Sequence, residues 1–488
     1  MIVKVVFAAS EMVPYSKTGG LADVAGALPE ALAARGVRVT AFSPYYARVK
    51  DGGYKAKPTG IRLTIPVGEN VFEGELLKGT SGRGKPDVYF IARDAYFDRP
   101  EIYGTSWGDY PDNIERFIFF SRAVIEAARA LGIKPDVMHV NDWQTAMIPV
   151  YLKTIYRNEK AFKKTKCLMT IHNIAYQGVF PAVKYPVLGL NWKYYNWLEL
   201  EFYDKVCLLK GGIIFSEAIS TVSKRYSEEI TTPEFGWGLD GVLSERCKRL
   251  YGIVNGVDYS VWSPEADTHI PKNYSMVKFT GKARCKEELQ KEAGLPVEPQ
   301  VPLIGFIGRL ADQKGMDILT VAMKDLMKMN IQFIVLGTGA EHYHQMMNEV
   351  AAANPDKMAV RITFDNALAH RIEAGCDMFL MPSRYEPCGL SQLYSLRYGT
   401  IPIVHATGGL ADTVVNCNSA SLRKNKANGF NFFDYTPRAL LDAVERAVKA
   451  YHNPKVWKKL QKTGMKQDWS WDRSAAEYVK LYGKMTER

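Results

Sequence analysis

The sequence lacks the patterns that mark common metal and redox proteins. Its seven cysteines lie far apart, and neither a C-x-x-C pair nor a zinc-type spacing of cysteine and histidine occurs. There is also no D-x-D pair of the kind that holds a metal-bound nucleotide diphosphate, no H-E-x-x-H and no Walker sequence. We therefore expect reduced thiols in a cytosolic protein, and any diphosphate site is expected to work without a metal ion.

Long apolar runs are missing as well. None reaches the length of a transmembrane helix. The apolar start of the chain, IVKVVFAAS, is too short for the core of a secretion signal and predicts a first strand instead. We expect a cytoplasmic protein with no membrane partner, or one in the plastid stroma if the chain derives from a plant or algal precursor.

The chain is basic, but its basic residues are scattered. A net charge of +11 over 488 residues permits nucleic acid, a membrane surface or an anionic small substrate as partner. Local clusters occur at Lys153–Lys166, Arg423–Lys426 and Lys455–Lys466, and we interpret them as solvated surface. Because neither a dense basic stripe nor a recognisable nucleic-acid module is found, we expect no nucleic-acid partner.

Apolar, β-rich runs alternate with helical segments, which is typical of parallel α/β domains. The chain is too long for one core, and four prolines between Asn255 and Pro302 indicate a boundary. We expect domains at residues 1–254 and 255–463, and a tail, 464–488, whose helix packs back on the first domain. The predicted strands are Val3–Ala9, Val37–Ser43, Ile61–Val67, Glu73–Lys78, Asp87–Ala92, Asp136–Asn141, Cys167–His172, Leu303–Ile307, Ile331–Leu336, Val360–Phe364, Met378–Pro382 and Ile401–His405, and the predicted helices are Leu21–Arg35, Asn113–Leu131, Thr145–Tyr156, Gly315–Met329, Gly389–Tyr398 and Trp469–Met485.

The same six residues, TGGLAD, occur at Thr18–Asp23 and at Thr407–Asp412. Each copy follows an apolar, strand-like run and precedes a segment that can form a helix. Paired glycines before a helix let backbone N–H groups approach an anion closely. The pair suggests two α/β halves that meet at a phosphate-binding cleft, although a tight turn explains either copy alone.

Polar side chains follow two predicted strands of the first half. Asn141-Asp142-Trp143 comes after one strand and His172-Asn173 after the next. Because ligands of open parallel sheets bind beyond the carboxyl ends of the strands, both sets lie where a ligand is expected. Lys17, just before the first pair of glycines, is a candidate phosphate ligand. Asp23 lies within the following helix, where a solvated or locally paired carboxylate is the alternative interpretation.

The second half carries cations and a carboxylate after its strands. Arg309 and Lys314 are five residues apart in one loop, so both could reach a single pyrophosphate and neutralise the charge on a departing diphosphate. Glu386 follows another strand and precedes a helix, where it could hold sugar or ribose hydroxyls. Two surface cations and a helix cap are the alternatives.

These residues stand in motifs that resemble the bacterial glycogen synthases and plant starch synthases over nearly the whole chain. The motifs occur in the family's order: SKTGGLADVAGALP (Ser16–Pro29), NDWQT (Asn141–Thr145), IHNIAYQG (Ile171–Gly178), GIVNGVD (Gly252–Asp258), GRLADQKG (Gly308–Gly315) and PSRYEPCGLSQLYSLRYGT (Pro382–Thr400), followed by TGGLADTV (Thr407–Val414).

The resemblance implies an α/β chain with the glycosyltransferase B fold, in which two Rossmann-like domains face each other across a deep cleft. It implies transfer of glucose from ADP-glucose to the non-reducing end of an α-1,4-glucan such as glycogen or starch. Configuration would be retained, and neither a metal nor another cofactor would be needed. The oligomeric state stays open.

The same resemblance assigns site residues. Arg309 and Lys314 would bind the diphosphate, and Glu386 would hold donor hydroxyls and stabilise an oxocarbenium-like state. The catalytic set is completed by Asp142 and His172, which would line the glucose and acceptor side. The substrate-binding set would comprise Lys17, Gly19, Gly20, Asp23, Tyr103, Asn173, Asn255, Phe364, Gly389, Leu390 and Ser391. Within this scheme the second TGGLAD copy is expected to shape the cleft edge behind Glu386, and a ligand role for Gly408 or Gly409 stays open.

Two positions depart from the family's pattern. Ser391 stands where threonine is common and keeps the hydroxyl. Phe364 stands where tyrosine is familiar as the residue that stacks on adenine, so the ring is kept and the phenol is lost. The choice between ADP-glucose and UDP-glucose therefore stays open. A sucrose-forming sister enzyme that uses UDP-glucose and a non-catalytic glucan-binding protein are the alternative functions.

One aromatic-rich segment, Trp192–Tyr203, allows two interpretations. It could bind glucan at the surface, because aromatic rings stack on sugars, but we favour packing in the core or against a helix.

Overall fold

The chain folds into two compact units in a computed structural model, which describes residues 2–80, 84–105 and 107–487. The N-unit comprises Met1–Gly256 together with Trp471–Arg488, and the C-unit comprises Val257–Ser470. The chain therefore leaves the first unit once and returns to it for its last helix. Among the helices that are described, none combines the length and the apolar character needed to cross a membrane.

The N-unit is built on a sheet of nine strands within the described residues. Their order is β14-β13-β9-β8-β1-β2-β5-β4-β3, with parallel neighbours from β14 to β5 and an antiparallel edge formed by β4 and β3. The strands of this unit are β1 (Lys4–Ala8), β2 (Arg38–Pro44), β3 (Ala56–Val67), β4 (Asn70–Gly79), β5 (Asp87–Ala92), β6 (Gly104–Thr105), β7 (Gly108–Asp109), β8 (Val137–Asn141), β9 (Lys166–Ile171), β10 (Val179–Pro181), β11 (Glu201–Phe202), β12 (Lys205–Cys207), β13 (Ala218–Thr221) and β14 (Leu250–Gly252).

The order of the strands reverses next to β1. The chain adds β2 on one side of β1 and β8 on the other, so the carboxyl ends of β1 and β8 flank a topological switch point, where ligands of such sheets bind. Strand β8 is buried along its whole length, as expected for a parallel strand that is covered on both faces. The helices of this part are α1 (Gly20–Ala34), α2 (Ala47–Asp51), α3 (Asp94–Phe97), α4 (Asn113–Ala130), α5 (Met147–Lys153), α6 (Leu208–Phe215), α7 (Lys224–Glu229) and α8 (Asp240–Glu245).

The C-unit has one parallel sheet of six strands in the described chain, in the order β17-β16-β15-β18-β19-β20. Counted within the unit, this is the order 3-2-1-4-5-6 of a dinucleotide-binding domain, whose switch point lies between the first and fourth strands. Here those strands are β15 and β18. The strands are β15 (Leu303–Ile307), β16 (Gln332–Leu336), β17 (Met358–Arg361), β18 (Met378–Met381), β19 (Ile401–His405) and β20 (Phe430–Phe432).

Helices of the C-unit cover both faces of this sheet, since apolar clusters pack on each side. Several begin at recognisable caps. The side chain of Thr436 accepts a hydrogen bond from the first turn of one helix, and that of Asn453 does so for the next, each followed by proline at the first helical position. The helices are α9 (Thr280–Ala293), α10 (Met316–Leu326), α11 (Glu341–Ala353), α12 (Asn366–Gly375), α13 (Ser391–Tyr398), α14 (Gly408–Thr413), α15 (Ser419–Arg423), α16 (Pro437–Tyr451) and α17 (Pro454–Met465).

The last helix, α18 (Trp471–Met485), packs in the N-unit against α1. Its apolar face joins the core that contains β1 and β8. The hydroxyl of Tyr482 is hydrogen-bonded to Nδ1 of His139 in β8, at 2.7 Å. The tail helix, predicted at Trp469–Met485, begins at Trp471 and lies in the N-unit.

Several other predicted boundaries were wrong, among them the starts of β3 and β4, which begin at Ala56 and Asn70 rather than at Ile61 and Glu73. Strand β17 ends at Arg361 rather than Phe364, because its partner β16 ends opposite it at Leu336. Helix α13 begins at Ser391, since Gly389 has φ +69°, outside the helical region. Helix α5 spans Met147–Lys153, shorter at both ends than the predicted Thr145–Tyr156.

Candidate active-site residues

Glu11 organises the loop that carries the first TGGLAD copy. Its buried carboxylate lies just beyond β1 and accepts hydrogen bonds from the backbone N–H groups of Thr18 and Gly19 and from the Thr18 hydroxyl. Burial raises the pKa of Glu11, and these hydrogen bonds oppose the rise. Two N–H groups of the predicted phosphate loop are therefore directed at an internal carboxylate.

Packing within the chain does not require Gly19 and Gly20. Gly19 has an extended backbone with φ −153°, and a Cβ added at either position would meet no atom within 4 Å. The space beside both residues is open. A ligand that approaches the backbone closely needs such space, so these glycines fit a binding role better than a packing role.

Lys17 and Asp23 bind each other across the start of α1. The Nζ atom of Lys17 lies 2.7 Å from Oδ1 of Asp23, and 47% of the lysine side chain is exposed. The locally paired carboxylate expected as the alternative for Asp23 is what the structure contains. Because exposed ion pairs contribute little free energy, a bound anion can replace Asp23 as the partner of Lys17 at small cost.

Asp142 combines strain, burial and a shifted pKa. It follows β8 with φ +54°, a left-handed conformation that costs energy for a residue other than glycine and that clusters at functional sites. Its Oδ1 accepts a hydrogen bond from the backbone N–H of His172 at 2.7 Å. Burial raises the pKa of Asp142 to about 7, backbone hydrogen bonds from His172 and Asn173 oppose the rise, and the charge of Glu11 adds to it.

His172 is held as a neutral imidazole of defined tautomer. Burial lowers its pKa to about 3. Its Nε2 lies 2.9 Å from Oδ1 of Asn141, whose amide nitrogen donates to the carbonyl of Ala8 at 2.9 Å. Because Oδ1 of Asn141 accepts, Nε2 of His172 carries the proton and Nδ1 is left as an acceptor. Asn141 thereby links the carboxyl ends of β1, β8 and β9.

Three further residues predicted to bind substrate, Tyr103, Asn173 and Asn255, also belong to the N-unit. The hydroxyl of Tyr103 donates to Glu11 at 2.9 Å and lies 2.7 Å from the hydroxyl of Ser10. The side chain of Asn173 accepts from the backbone two residues on, which closes an Asx turn. Asn255 is buried, and its Oδ1 has no hydrogen-bond partner in the described part of the chain, which leaves an acceptor for a ligand.

In the C-unit, Lys314 and Glu386 form a largely buried ion pair. Nζ of Lys314 lies 2.6 Å from Oε2 of Glu386, and their side chains are 24% and 8% exposed. The hydroxyl of Ser383 donates to the same oxygen at 2.9 Å. The pair joins the loops after β15 and β18 at the switch point. The alternative interpretation of Glu386 as a helix cap is wrong, because its partners are these two side chains.

Gly315 allows the two loops to approach. It has φ +80°, and a Cβ there would lie 2.1 Å from the carbonyl oxygen of Pro382, just after β18. Any other residue would push the loops apart. The backbone N–H of Arg384 donates to the carbonyl of Gln313 at 3.0 Å, which also joins the two loops. The glycine of the GRLADQKG motif thus places Lys314 beside Glu386.

Arg309 and Phe364 lie at the same edge of the sheet. Arg309 is exposed two residues after β15, and the Phe364 ring is 83% exposed three residues after β17. Strands β15, β17 and β18 are parallel, so their carboxyl ends meet at one edge. The other predicted residues there begin α13: Gly389 has φ +69°, Leu390 is the N-cap without a side-chain hydrogen bond, and Ser391 is the first helical residue.

The second TGGLAD copy has a packing role. A Cβ at Gly408 would lie 2.0 Å from the carbonyl oxygen of Glu386, and one at Gly409 would lie 2.0 Å from that of Cys388. The N–H of Gly409 donates to the Glu386 carbonyl at 3.0 Å. As expected, this copy supports the loop of Glu386, and packing alone accounts for both of its glycines.

The interpretation of Trp192–Tyr203 as core or helix packing was wrong for its largest exposed rings. Trp192, Trp197 and Tyr203 are 58%, 73% and 74% exposed. The segment forms a short 3-10 turn (Trp192–Tyr194) and β11 rather than a helix with one apolar face, so these rings stay at the surface.

Sequence reasoning missed Glu11. The rule that ligand residues follow the carboxyl ends of parallel strands was applied to β8 and β9, and it applies equally to Ser10-Glu11 after β1. An acidic residue directly beyond a buried first strand was the available signal. Its hydrogen bonds to Thr18 and Gly19 could not be read from the spacing.

Two family models match the chain, one in each half. Residues 4–245 match the family model described as starch synthase catalytic domain, and residues 286–464 match that of glycosyl transferases group 1. A glycogen synthase of Koribacter versatilis is 46% identical over 98% of both chains, and one of Thermosipho africanus is 46% identical over 99% of both.

Solved structures resemble the chain over its whole length. The catalytic domain of starch synthase IV from Arabidopsis thaliana, bound to ADP and acarbose, superposes with a TM-score of 0.91 at 32% identity, covering 100% of both chains. A sucrose-phosphate synthase from Thermosynechococcus elongatus shares the fold alone, with a TM-score of 0.59 at 16% identity over 99% of both chains. The chain therefore belongs to the family of bacterial glycogen synthases and plant starch synthases, and is a glucosyltransferase of the glycosyltransferase B fold.

Proposed function

We propose that the protein transfers glucose from ADP-glucose to the non-reducing end of an α-1,4-glucan in the cytoplasm, with retention of configuration and without a metal or other cofactor. The observation that carries the proposal is the Lys314–Glu386 ion pair, because it places a cation and a carboxylate together at the switch point of a dinucleotide-binding sheet. The cation suits a diphosphate, and the carboxylate can accept hydrogen bonds from the hydroxyls of the sugar.

The C-unit residues would hold the donor. Arg309 and Lys314 would bind the diphosphate, and the N-terminus of α13, with Gly389, Leu390 and Ser391, would add backbone and hydroxyl contacts. Once a phosphate takes up the charge of Lys314, Glu386 becomes available for donor hydroxyls. Phe364 would stack on the adenine, for which its exposed ring is suited. The relative bound to ADP supports an adenine nucleotide.

The N-unit residues would act on the sugar side. Lys17, Gly19, Gly20 and Asp23 would contact the donor, while Asp142, His172, Asn173, Asn255 and Tyr103 would line the glucose and acceptor side. A neutral His172 with Nδ1 as acceptor is suited to receive a hydrogen bond from a sugar hydroxyl.

Retention would follow from attack and departure on one face of the sugar. The acceptor 4-hydroxyl forms the new bond to the anomeric carbon as the bond to the diphosphate breaks. The departing diphosphate oxygen takes the acceptor proton, and Arg309 and Lys314 stabilise its charge. Glu386 stabilises the positive charge that develops on the sugar.

Release of ADP tests the proposal. The full chain is incubated with glycogen and either ADP-glucose or UDP-glucose, and with fructose as the alternative acceptor. We expect ADP release that depends on glycogen, with α-linked product. The variant Lys314→Ala should lower kcat about 100-fold or more, as loss of a fixed group that stabilises transition-state charge does. Lys328→Ala, which removes an exposed lysine paired with Asp325 in the same unit, is the matched control.

Each contrary result identifies an alternative. Glucan binding without ADP release would indicate a non-catalytic binding protein, and a preference for UDP-glucose and fructose would indicate the sucrose-forming type. Near-native turnover of Lys314→Ala would remove its diphosphate role, and a β-linked product would exclude retention.

The exposed aromatic rings suggest where a long glucan would extend. Trp197 and Tyr203 present flat apolar faces to solvent on the N-unit, and such rings stack on sugars. In electrophoresis through a glycogen gel, Trp197→Ala should be retarded less than the parent. Trp107→Ala removes an even more exposed indole, 96% against 73% for Trp197, from a different segment and should migrate like the parent. Equal retardation of both variants would contradict a role for this surface.

A further inference from the structure

Helix α17 carries a row of lysines on one face. The row consists of four lysines of the helix and its C-cap residue, at the spacing i, i+3, i+4, i+7 and i+11: Lys455, Lys458, Lys459, Lys462 and Lys466. This spacing places them within one stripe about 16 Å long. The opposite face is buried through Trp457, Leu460, Gly464 and Met465. The helix and its stripe are thus fixed in orientation.

Within the described residues, no acidic side chain pairs with a lysine of this stripe. Helix α17 contains neither Asp nor Glu, and none of its lysines forms an ion pair with the residues that the structure describes. The neighbouring helices differ: basic residues of α9 pair with Glu287 and Glu288, and Arg438 of α16 pairs with Asp442. Since like charges at i, i+4 destabilise a helix, an unbalanced stripe opposes folding.

A second segment adds to the same charge. Lys426, which follows α15, lines one concavity together with the four lysines of α17 and Lys466. The concavity has a volume of about 930 Å³, and its lining contains no acidic residue in the described chain. The interpretation of the Arg423–Lys426 and Lys455–Lys466 clusters as separate solvated surface was therefore incomplete, because the fold brings them to one place.

We propose that this lysine groove, formed by Lys426, Lys455, Lys458, Lys459, Lys462 and Lys466, binds a compact oligophosphate anion. Its volume suits a small ligand, and the ammonium groups suit phosphates as point charges. It lacks the aromatic rings on which bases of a single-stranded nucleic acid stack. It also lacks arginine, whose fork matches the carboxylates of an acidic peptide. None of its residues belongs to the candidate active site.

Calorimetric titration of the full chain with inorganic tripolyphosphate tests this site. The variant Lys458→Gln/Lys459→Gln/Lys462→Gln should bind at least about tenfold more weakly, because three of the six charges are lost. The matched control, Lys160→Gln/Lys163→Gln/Lys164→Gln, removes the same charge from exposed lysines of the N-unit and should bind like the parent. Binding should weaken with added salt, and orthophosphate should bind at least about tenfold more weakly than tripolyphosphate.

Several results would overturn the proposal. One is that the parent does not bind tripolyphosphate at all, and another is that it binds orthophosphate as tightly as tripolyphosphate. Equal binding of tripolyphosphate by both triple variants would place the anion at another cationic site, such as that of Arg309 and Lys314. Tighter binding of a hexaglutamate peptide or of an oligothymidylate would assign the groove to a different partner. Loss of folding is checked by melting temperature, which should not fall, because the α17 substitutions relieve repulsion.

Discussion

At the scale of single residues, burial acts in opposite directions on the two central groups of the N-unit. It raises the pKa of Asp142 to about 7 and lowers that of His172 to about 3. Both changes favour the uncharged form. Near pH 7 His172 is therefore neutral, and Asp142 is divided between its neutral and its negatively charged form. Of the two groups, only Asp142 titrates close to neutrality.

The pH dependence of stability should reveal Asp142. Its pKa in the folded chain lies above the ordinary value, so between about pH 4 and pH 7 the native state holds more protons than the unfolded state, and stability falls as pH rises through this window. The contribution is on the order of 4 kcal/mol for a shift from 3.8 to about 7. Asp142→Asn removes it and keeps the oxygen that accepts from His172.

Urea unfolding at several pH values measures this difference. We expect the variant to gain stability over the parent from pH 5 to pH 8 and the gain to level off above pH 8. Asp51→Asn, which changes an exposed carboxylate of the same unit, should not show the trend. If the curves for Asp142→Asn and the parent ran parallel, the carboxyl group would not titrate near neutrality.

At the scale of elements, the two TGGLAD copies have identical letters and different surroundings. Gly19 faces open space, while Gly409 is packed against the Cys388 carbonyl. We therefore expect Gly19→Ala to keep the melting temperature and to lower activity on ADP-glucose, and Gly409→Ala to destabilise the C-unit by about 1–3 kcal/mol through overpacking. Thermal melting and ADP release, measured on both variants, test the contrast. A large loss of stability in Gly19→Ala, or none in Gly409→Ala, would contradict it.

The sequence predicts these elements well where the pattern is local. The spans Asp87–Ala92, Leu303–Ile307 and Ile401–His405 were predicted as they stand, because each is an apolar run bounded by turn residues. The carboxyl-end rule placed Asp142 and His172 after neighbouring strands, and in the structure the backbone N–H of His172 donates to Asp142. Periodicity says nothing about partners 72 residues apart, so the Lys314–Glu386 pair and the lysine groove became visible only in the fold.

At the scale of the whole molecule, the N-unit is completed by the end of the chain. Helix α18 places Trp471, Tyr478 and Tyr482 in the core around β1 and β8. Each such side chain contributes about 1.5–3 kcal/mol on burial, whereas a domain is stable by only about 5–15 kcal/mol in total. The first 256 residues should therefore not form a stable unit without the last helix.

Truncation after Ser470 should destabilise one unit selectively. In the part of the chain that the structure describes, the core clusters of the C-unit include no residue of α18. Hydrogen exchange in the shortened chain should therefore become fast in β1 and β8 and stay slow in β15 and β16. The milder variant Tyr482→Phe removes the hydrogen bond to His139 and keeps the ring, and should cost about 1 kcal/mol. Lys484→Ala, which alters an exposed lysine of the same helix bonded to Tyr251, is the control. Slow exchange of β1 in the truncated chain would show that the N-unit core forms without α18. Exchange as fast in β15 as in β1 would show that the two units do not unfold separately.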